Sequence, residues 1–202
     1  MKKTLQVFLV LFAFSALLAG CKKDTDTARK NFIKYNDTEY ALSLGFMENY
    51  GKFLESEGYN VDLTLMSSGF KIHEANGEID SVSGTGNAIY FEMFTTDSTE
   101  LDSRIFTYDP EGTREAGTFD NGQVGINFNA KTQEGDIYNI AQGTVTVSLS
   151  GTEYEITIAC KDVSGKDITG YFKGKLKYYN YGNSGLKKTS SGKLRKRSFP
   201  DR

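Results

Sequence analysis

The residues most able to do covalent chemistry are few and widely spaced. His73 is the only histidine among the 202 residues, and Cys21 and Cys160 are the only cysteines. A serine or cysteine nucleophile needs a nearby base, which His73 alone would have to supply, and these three side chains fall short of the four ligands of a structural zinc site. Because Cys160 follows Ile156 and Ile158 at alternate positions, we expect a buried, inert thiol.

Paired carboxylates are the other arrangement that could be catalytic. Glu153 and Glu155 stand two apart in a strand-like segment, which places them about 7 Å apart on one face, within the roughly 5 to 9.5 Å that glycosidases use. Lysines of the next strand are expected to keep both groups ionised and exposed, whereas an acid catalyst needs burial. The sequence therefore predicts no catalytic residue and no enzyme, with a hydrolase as the minor alternative.

A cluster of oxygen ligands lies in the middle of the chain. Asp97, Glu100 and Asp102 stand among threonines and a serine, and such a set could hold calcium. The spacing lacks the glycine and the terminal glutamate of an EF-hand loop. A solvated turn is the favoured interpretation and calcium the alternative, and no other cofactor is expected.

Three tyrosines are the candidate ligand-binding residues. Tyr50 and Tyr59 bracket an acidic connection, and alternation along its own strand predicts that Tyr179 points outward. An exposed tyrosine can stack on a sugar ring or on a partner's side chain. The absence of tryptophan counts against a dedicated glycan binder, and ordinary cross-strand packing is the simpler explanation for most of the rings.

The elements that position these residues are best defined near the end of the chain. From residue 142 to residue 179, apolar and polar side chains alternate through three successive segments, which predicts a β-meander. A tight turn at Ser150-Gly151 sets Val147 opposite Tyr154. In this register, side chains that point into the core on one strand lie opposite side chains that point into the core on the other.

The next hairpin is predicted to centre on Gly165. This register sets Ile158 opposite Phe172 on the inner face and Glu155 opposite Lys175 on the outer face. Each pair of opposite charges at facing positions on neighbouring strands stabilises the sheet by about 0.2 to 1 kcal/mol. A slip of one residue in the pairing would move the apolar side chains to the outer face and the charged ones to the inner face.

The same alternation upstream predicts eight to ten short strands in all. The candidates are residues 40–44, 61–65, 88–96, 104–108, 117–120 and 124–130. Strands of this length at regular spacing favour an all-β fold, an antiparallel, jelly-roll-like β-sandwich. A lipocalin-like β-barrel is the alternative, because alternation is identical in both. A helix could form only between residues 47 and 57, and residues 40–44 and 61–65 are expected to pair.

Charge is unevenly distributed along the chain. Residues 21–186 hold 15 lysines and arginines against 25 aspartates and glutamates, a net charge of −10, whereas residues 187–202 carry a net charge of +6. The segment 183–202 has no hydrophobic period and is predicted to be a disordered basic tail. It could contact anionic lipid headgroups, lipopolysaccharide phosphates or the acidic body of the same chain, or remain a solvated end.

The N-terminus carries the most specific motif. After Lys2 and Lys3 comes an apolar run from residue 5 to residue 18, shorter than the roughly 20 residues that a membrane-spanning helix needs and typical of a signal peptide. The sequence Leu17-Leu18-Ala19-Gly20-Cys21 resembles the lipobox of bacterial lipoproteins. This resemblance implies that residues 1–20 are removed and that Cys21 is lipidated and anchored in a membrane.

Two further segments carry a resemblance to Bacteroides-type lipoproteins. Residues 22–26, Lys-Lys-Asp-Thr-Asp, are similar to the charged leader that sends many of them to the outer face of the outer membrane. Residues 143–147, 154–158 and 170–176 resemble a recurring ending of uncharacterised members. The resemblance implies an all-β exported domain of unknown function, exposed on the surface rather than in the periplasm.

These observations divide the chain into four parts. Residues 1–20 form the signal peptide, 21–36 the lipidated cysteine and a polar tether, 37–182 a single β-domain, and 183–202 the tail. The leading hypothesis is a non-enzymatic binding module for a glycan, a small ligand or a protein partner. The alternatives are a structural or adhesin-like accessory subunit of an envelope complex and a carrier of a small hydrophobic molecule. Nucleic acid is not an expected partner of an exported chain.

Overall fold

The computed structural model describes residues 29–182, which lie in strands, turns and loops. The strands are β1 (Phe32–Tyr35), β2 (Thr38–Ala41), β3 (Leu44–Gly51), β4 (Tyr59–Met66), β5 (Phe70–Ala75), β6 (Glu78–Thr95), β7 (Ile105–Tyr108), β8 (Thr118–Asn129), β9 (Glu134–Ser150), β10 (Glu153–Asp162), β11 (Asp167–Gly174) and β12 (Lys177–Asn180). The all-β prediction is confirmed, with twelve strands in place of eight to ten. No helix within the described residues is long and apolar enough to cross a membrane. The signal segment, Cys21 and the basic tail lie outside the described residues.

One sheet curls into an open half-barrel, a form compatible with the expected sandwich and with the alternative barrel. Its strand order is β12-β3-β4-β6-β8-β7-β9-β10-β11-β1-β2, and β5 pairs with the first half of β6. Among the described strands, β12 runs parallel to β3 and β7 runs parallel to β8, and the remaining pairings are antiparallel.

Two short connections hold the two ends of the sheet together. Residues 42–43 join β2, at one edge, to β3 near the other edge, and residues 175–176 join β11 to β12 in the same way. Three residue steps span at most about 11 Å, so both connections require the ends to meet at one corner. A side chain at Gly45 of β3 would place its Cβ 2.6 Å from Leu176 Cδ2 and 2.7 Å from Leu65 Cδ2. The seam is therefore closely packed, and a larger residue at position 45 would require the side chains of Leu176 and Leu65 to move.

The concave side of the sheet holds the main core. Its buried side chains come from strands at both ends of the sheet, such as Ile33 of β1, Leu63 of β4 and Ile156 of β10. Cys160 belongs to this core, and burial raises the pKa of its thiol to about 12. The expected burial of this thiol is confirmed, and its inertness stays a prediction.

A second cluster lies on the convex side, where the β5–β6 hairpin covers β3 and β4. Its buried members are Phe46, Met66, Phe70, Ile79, Ala88, Tyr90, Phe128, Tyr179 and Tyr181. The hairpin is tied to the end of the described chain, because the Ile79 amide donates a hydrogen bond to the Tyr181 hydroxyl oxygen at 3.1 Å. The Tyr179 hydroxyl donates to Glu74 on the same hairpin at 2.8 Å. We call this the convex cluster.

The β9–β10 hairpin has the predicted faces but not the predicted register. Val147 lies opposite Ile156 rather than Tyr154, a shift of two residues. The loop consists of Gly151 and Thr152 instead of Ser150-Gly151, and Gly151 has a φ of 63°, the pattern of a type II′ turn with glycine in its first position. An even shift preserves which side chains point inward.

The β10–β11 hairpin is shifted in the same way. Phe172 lies opposite Ile156 rather than Ile158, and Glu155 lies opposite Lys173, with Nζ and Oε2 at 3.8 Å, rather than opposite Lys175. Asp162, the last residue of β10, closes the turn. The centre of the hairpin therefore lies one residue from the predicted centre at Gly165. The predicted pairing of Glu155 with Lys175 is therefore wrong.

The first two strands depart from the expected domain plan. Residues 32–35 were expected to belong to the tether, but they form β1 and pair with β11. Residues 38–41 pair with β1 and not with residues 61–65, whose partner is β3. The cause is the turn at Asn36 and Asp37, whose φ values of 45° and 69° match the type I′ turn that closes tight hairpins.

Asp162 connects the last hairpin to β1. Its Oδ1 accepts hydrogen bonds from the Ser164 amide at 2.8 Å and the Lys166 amide at 2.9 Å, and its Oδ2 accepts one from the Tyr35 hydroxyl at 2.8 Å. The carboxylate is 3% exposed. Burial alone would raise its pKa, but the hydrogen bonds from Ser164, Tyr35 and Lys166 outweigh burial and lower the pKa to about 2.

Replacing Asp162 by asparagine is expected to destabilise the fold in a pH-dependent way. A folded pKa below the unfolded value of about 3.9 contributes stability above that value, and the contribution is lost as the pH falls towards 2. Asp162→Asn should lower the free energy of unfolding at pH 7 by about 1 to 3 kcal/mol, and the deficit should shrink between about pH 5 and pH 2. Denaturant titrations across this range measure it.

The control is Asp167→Asn in the same hairpin, whose side chain is 73% exposed. It should change the free energy of unfolding by less than about 0.5 kcal/mol. A deficit of Asp162→Asn that stays constant with pH would contradict the assignment of the lowered pKa to this carboxylate.

Paired cysteines distinguish the observed β10–β11 register from the predicted one. In a Cys21→Ser background, Glu155→Cys with Lys173→Cys should oxidise to an intramolecular disulfide, because residues directly opposite have Cα atoms about 4.5 to 5.5 Å apart. Glu155→Cys with Lys175→Cys should not, because that separation exceeds about 7 Å. Peptide mapping without reductant measures the disulfide in each variant. Preferential oxidation of the pair at positions 155 and 175 would overturn the observed β10–β11 register.

Candidate functional site

Three carboxylates line up on the convex side of the sheet. Glu48 of β3 lies directly opposite Asp62 of β4, and Asp62 lies directly opposite Glu92 of β6. They are 2%, 0% and 7% exposed. Neighbouring strands are about 4.8 Å apart, so the three groups span about 10 Å across the strands. We call them the acidic row.

Strand alternation places the acidic row on this side. Val61, Leu63 and Leu65 of β4 point into the concave core, so the residues between them point to the convex side. The sequence analysis did not find the row, because each strand contributes one carboxylate and the order of the strands was unknown. One signal could have revealed the row. Each of three alternating segments carries a single acid among apolar side chains, and three such acids would meet if the segments were neighbours in the sheet.

Hydrogen bonds hold two acids of the row, Glu48 and Asp62. The Tyr90 hydroxyl donates to Asp62 Oδ2 at 2.7 Å, and Asn60 Nδ2 donates to Asp62 Oδ1 at 3.3 Å. The Tyr50 hydroxyl donates to Glu48 Oε1 at 3.3 Å. Asp62, the central acid, is therefore held from two sides.

Two buried oxygen atoms beside Asp62 have no hydrogen-bond donor. They are Asn60 Oδ1 and Thr64 Oγ1, on the same side of β4 as Asp62 and with residue exposures of 2% and 0%. An unsatisfied buried polar atom costs about 1 to 3 kcal/mol, and native structures leave few of them. A ligand that brings N–H donors to the row would satisfy both atoms.

Aromatic rings lie at the Glu48 end of the acidic row. Tyr50 stacks on Tyr181 with ring centroids 5.3 Å apart, and Phe46 meets Tyr179 edge to face at 6.0 Å. Carboxylates beside aromatic faces are the combination that binds organic cations, through charge and through cation–π attraction. The arrangement can therefore hold an ammonium or a guanidinium group.

The predicted tyrosines are not brought together. Tyr50 lies at the acidic row. Tyr59 points to the opposite, concave side of the sheet, as Val61 does, and Lys52 Nζ lies 4.8 Å from the centre of the Tyr59 ring. Tyr179 points away from the main core, as alternation predicted, but it is 1% exposed, so its predicted exposure is wrong. The reason is that β12 does not extend the β-meander but pairs with β3, where the β5–β6 hairpin covers it.

The predicted calcium ligands are engaged within their loop. Asp97 Oδ1 accepts hydrogen bonds from the Thr99 hydroxyl and amide at 2.6 Å, and these hold the pKa of Asp97 below its ordinary value. Asp102 Oδ2 accepts from the Thr96 amide at 2.8 Å and lies 3.3 Å from Arg104 Nε. Glu100 is exposed. Within residues 29–182, no three acids, histidines or cysteines are close enough to hold a metal ion, and calcium binding here stays an untested prediction.

The other groups considered for catalysis lie apart. Glu155 accepts a hydrogen bond from the Tyr171 hydroxyl at 3.0 Å on the outer surface, and Glu153 lies opposite Ser150 at the hairpin turn. His73 Nε2 lies 2.7 Å from Ser83 Oγ on the β5–β6 hairpin. No described carboxylate is hydrogen-bonded to the other ring nitrogen of His73, the contact that orients a catalytic base.

Comparisons of the chain with protein-family models, with curated proteins and with solved structures find no match. The function therefore has to be argued from the geometry of the acidic row.

The hydrogen bond from Tyr90 to Asp62 should be a measurable part of the stability. Tyr90→Phe removes a buried donor to a carboxylate and should lower the free energy of unfolding by about 1.5 to 3 kcal/mol. Tyr59→Phe is the control, since its half-buried hydroxyl makes no hydrogen bond to the described residues, and should change it by less than about 0.5 kcal/mol. Denaturant titration compares them, and equal losses would show that the Tyr90 hydroxyl does not hold Asp62.

Proposed function

We propose that the chain is a non-enzymatic binding module, anchored to the outer membrane through Cys21, that recognises a basic segment of an envelope protein with the acidic row. The observation that carries this proposal is the alignment of Glu48, Asp62 and Glu92 on adjacent strands, with the convex cluster beside the Glu48 end. Like charges at directly opposite positions are destabilising in a sheet. Each of the three acids has further interactions within the fold, and a bound cation would add to them by offsetting the mutual repulsion of the carboxylates.

The dimensions of the row favour an extended basic peptide. Glu48 and Glu92 lie on strands two spacings apart, about 10 Å. Side chains two residues apart on one face of an extended peptide are separated by about 7 Å, and the long side chains of lysine and arginine can cover the remaining distance. Two lysines or arginines of one segment could therefore reach both ends of the row, while their N–H groups serve Asn60 Oδ1 and Thr64 Oγ1.

The other expected ligands receive less support. A neutral glycan would need exposed rings, yet Tyr179 is covered and Tyr50 is stacked on Tyr181. A hydrophobic cargo would need an empty interior, and the concave side is packed with side chains from strands at both ends of the sheet. A structural or adhesin-like subunit could use the same row, and differs in needing a permanent rather than an exchangeable partner.

Burial of the row sets a condition on binding. With exposures of 7% or less, the carboxylates can meet an incoming cation only when the surface over them opens. The measured affinity is then the intrinsic affinity reduced by the fraction of molecules that are open. Any other group that binds the acidic row should therefore lower the measured affinity for the basic partner.

A labelled decalysine peptide tests the proposal by fluorescence anisotropy with the full chain in detergent. The variant Glu48→Gln, Asp62→Asn, Glu92→Gln removes the charges of the row and should weaken binding by roughly tenfold or more, which is at least ~1.4 kcal/mol. Its matched control, Glu39→Gln, Glu134→Gln, Glu153→Gln, removes three exposed carboxylates and should weaken binding by less than about threefold, because exposed charges are screened.

If decalysine binding is weakened equally in the two variants, it depends only on the net charge of the chain, and the proposal fails. The same variants on a glycan array provide the second readout. Sugar binding by the parent that survives in the row variant, with no decalysine binding at all, would replace the basic partner by a glycan. Circular dichroism of each variant confirms that it is folded.

A further inference from the structure

The β5–β6 hairpin is attached to the rest of the molecule mainly through side chains. Residues 70–75 pair with residues 78–84, and among the described strands neither segment pairs with any other. Beyond residue 84 the same strand, β6, enters the main sheet, where Thr85 lies opposite Asn129 of β8. The hairpin is therefore a two-stranded unit that leaves the main sheet and lies over its convex side.

Two glycines form the root of the hairpin. Gly84 has a φ of 104°, in the region that favours glycine, and a side chain there would place its Cβ 2.1 Å from the Gly69 carbonyl oxygen. A side chain at Gly69 would place its Cβ 2.1 Å from the Thr85 carbonyl oxygen. The two backbones cross in close contact with no side chains between them, at the end of a structural element, where hinges occur in proteins.

Few side chains of the hairpin are buried. Phe70 and Ile79 are 4% and 8% exposed, and Ile72 and Val82 are half-buried. A two-stranded hairpin is only marginally stable by itself, and elements with few buried apolar contacts open at a lower free energy than the domain as a whole. The hairpin is therefore the unit of the sheet that detaches most readily.

Contacts with β12 hold the hairpin in place. Glu74 accepts hydrogen bonds from Lys177 Nζ at 2.6 Å and from the Tyr179 hydroxyl at 2.8 Å. These bonds from Lys177 and Tyr179 lower the pKa of Glu74, which keeps the carboxylate ionised at neutral pH. The Tyr181 hydroxyl accepts the Ile79 amide at 3.1 Å. We call the two bonds to Glu74 the latch.

The hairpin lies over the Glu48 end of the acidic row. Tyr179, which donates one bond of the latch, stands at the level of Glu48 on the neighbouring strand. Phe46 and Tyr50, which flank Glu48 on the convex side of β3, both pack in the convex cluster with the hairpin. Because Glu48 is 2% exposed, a group from solvent can meet it only after this cover moves.

We propose that the β5–β6 hairpin is a hinged flap, held shut by the latch, whose opening uncovers the convex cluster and the Glu48 end of the acidic row. The flap itself stands on the structure of the hairpin, whereas its role as the gate for a basic partner rests on the proposed function. The apparent affinity for that partner is proportional to the fraction of molecules with an open flap. Weakening the latch should therefore raise the opening of the hairpin and the affinity by the same factor.

Hydrogen exchange of the full chain in detergent, followed by mass spectrometry, tests the flap. The hydrogen-bonded amides of residues 70–83 should exchange through a local opening that depends only weakly on urea. The amides of β10 should exchange through global unfolding, which depends steeply on urea because it exposes far more surface. The same urea dependence in both segments would show that the hairpin opens only with the whole domain, and would overturn the flap.

The latch is tested by Glu74→Gln, with Asp80→Asn as the matched control. Both changes remove one negative charge from the hairpin, and Asp80 is exposed. Glu74→Gln should speed exchange of the hairpin about fivefold, because bonds to a charged acceptor are stronger than bonds to a neutral one, and should tighten decalysine binding by the same factor. Asp80→Asn should change both by less than about twofold. Equal effects of the two variants would overturn the latch.

A covalent lock separates the flap from its role as a gate. In a Cys21→Ser background, a short bismaleimide joins Glu74→Cys to Lys177→Cys, and the control is the same double variant capped with N-ethylmaleimide. Against this control, the lock should slow exchange of the hairpin amides at least about tenfold and weaken decalysine binding by a similar factor.

The two readouts of the lock fail in different ways. Unchanged exchange would overturn the flap. Slower exchange with unchanged decalysine binding would overturn the gate, and the proposed function would still stand if the row variant binds decalysine more weakly than the parent. An unchanged affinity in the row variant would overturn the proposed function and the gate, and the flap would then stand on its exchange alone.

Discussion

The constraint on which the structure depends is the pair of two-residue connections at the corner of the sheet. Residues 42–43 and residues 175–176 each join strands that stand at opposite ends of the strand order. No flat sheet of eleven strands in a row could satisfy them, since its ends would lie roughly 50 Å apart. The curl follows, and with it a concave side that is closed enough to bury side chains from every region of the sheet.

The curl also decides where the chain can interact. Each strand that gives alternate side chains to the concave core presents the others to the convex side, and β3, β4 and β6 present three acids there at one level. The same corner places β12 beside β3, so Tyr179 and Tyr181 close the convex cluster under the β5–β6 hairpin. One geometric requirement thus produces an apolar interior, an acidic row and a chain end next to that row.

The sequence predicted what depends on alternation and missed what depends on distant pairing. The all-β class and the inward positions of Val145, Val147, Ile156 and Ile158 were predictable, because a period of two is visible locally. Both hairpin registers were wrong by two residues, since an even shift leaves the faces unchanged and the turn geometry at Gly151 and Asp162 decides between them. The burial of Tyr179 and the acidic row were missed for one reason, which is that β3 pairs with β12, more than 100 residues further along the chain, as well as with β4.

The most direct measurement of the central claim is ¹⁹F NMR of the full chain carrying 3-fluorotyrosine, titrated with decalysine and assigned by single tyrosine-to-phenylalanine variants. Tyr50 and Tyr90 donate hydrogen bonds to acids of the row, whereas Tyr154 lies in the concave core. The account predicts that the signals of Tyr50 and Tyr90 move with peptide and that the signal of Tyr154 does not. Movement of Tyr154 alone, with Tyr50 and Tyr90 unchanged, would contradict it.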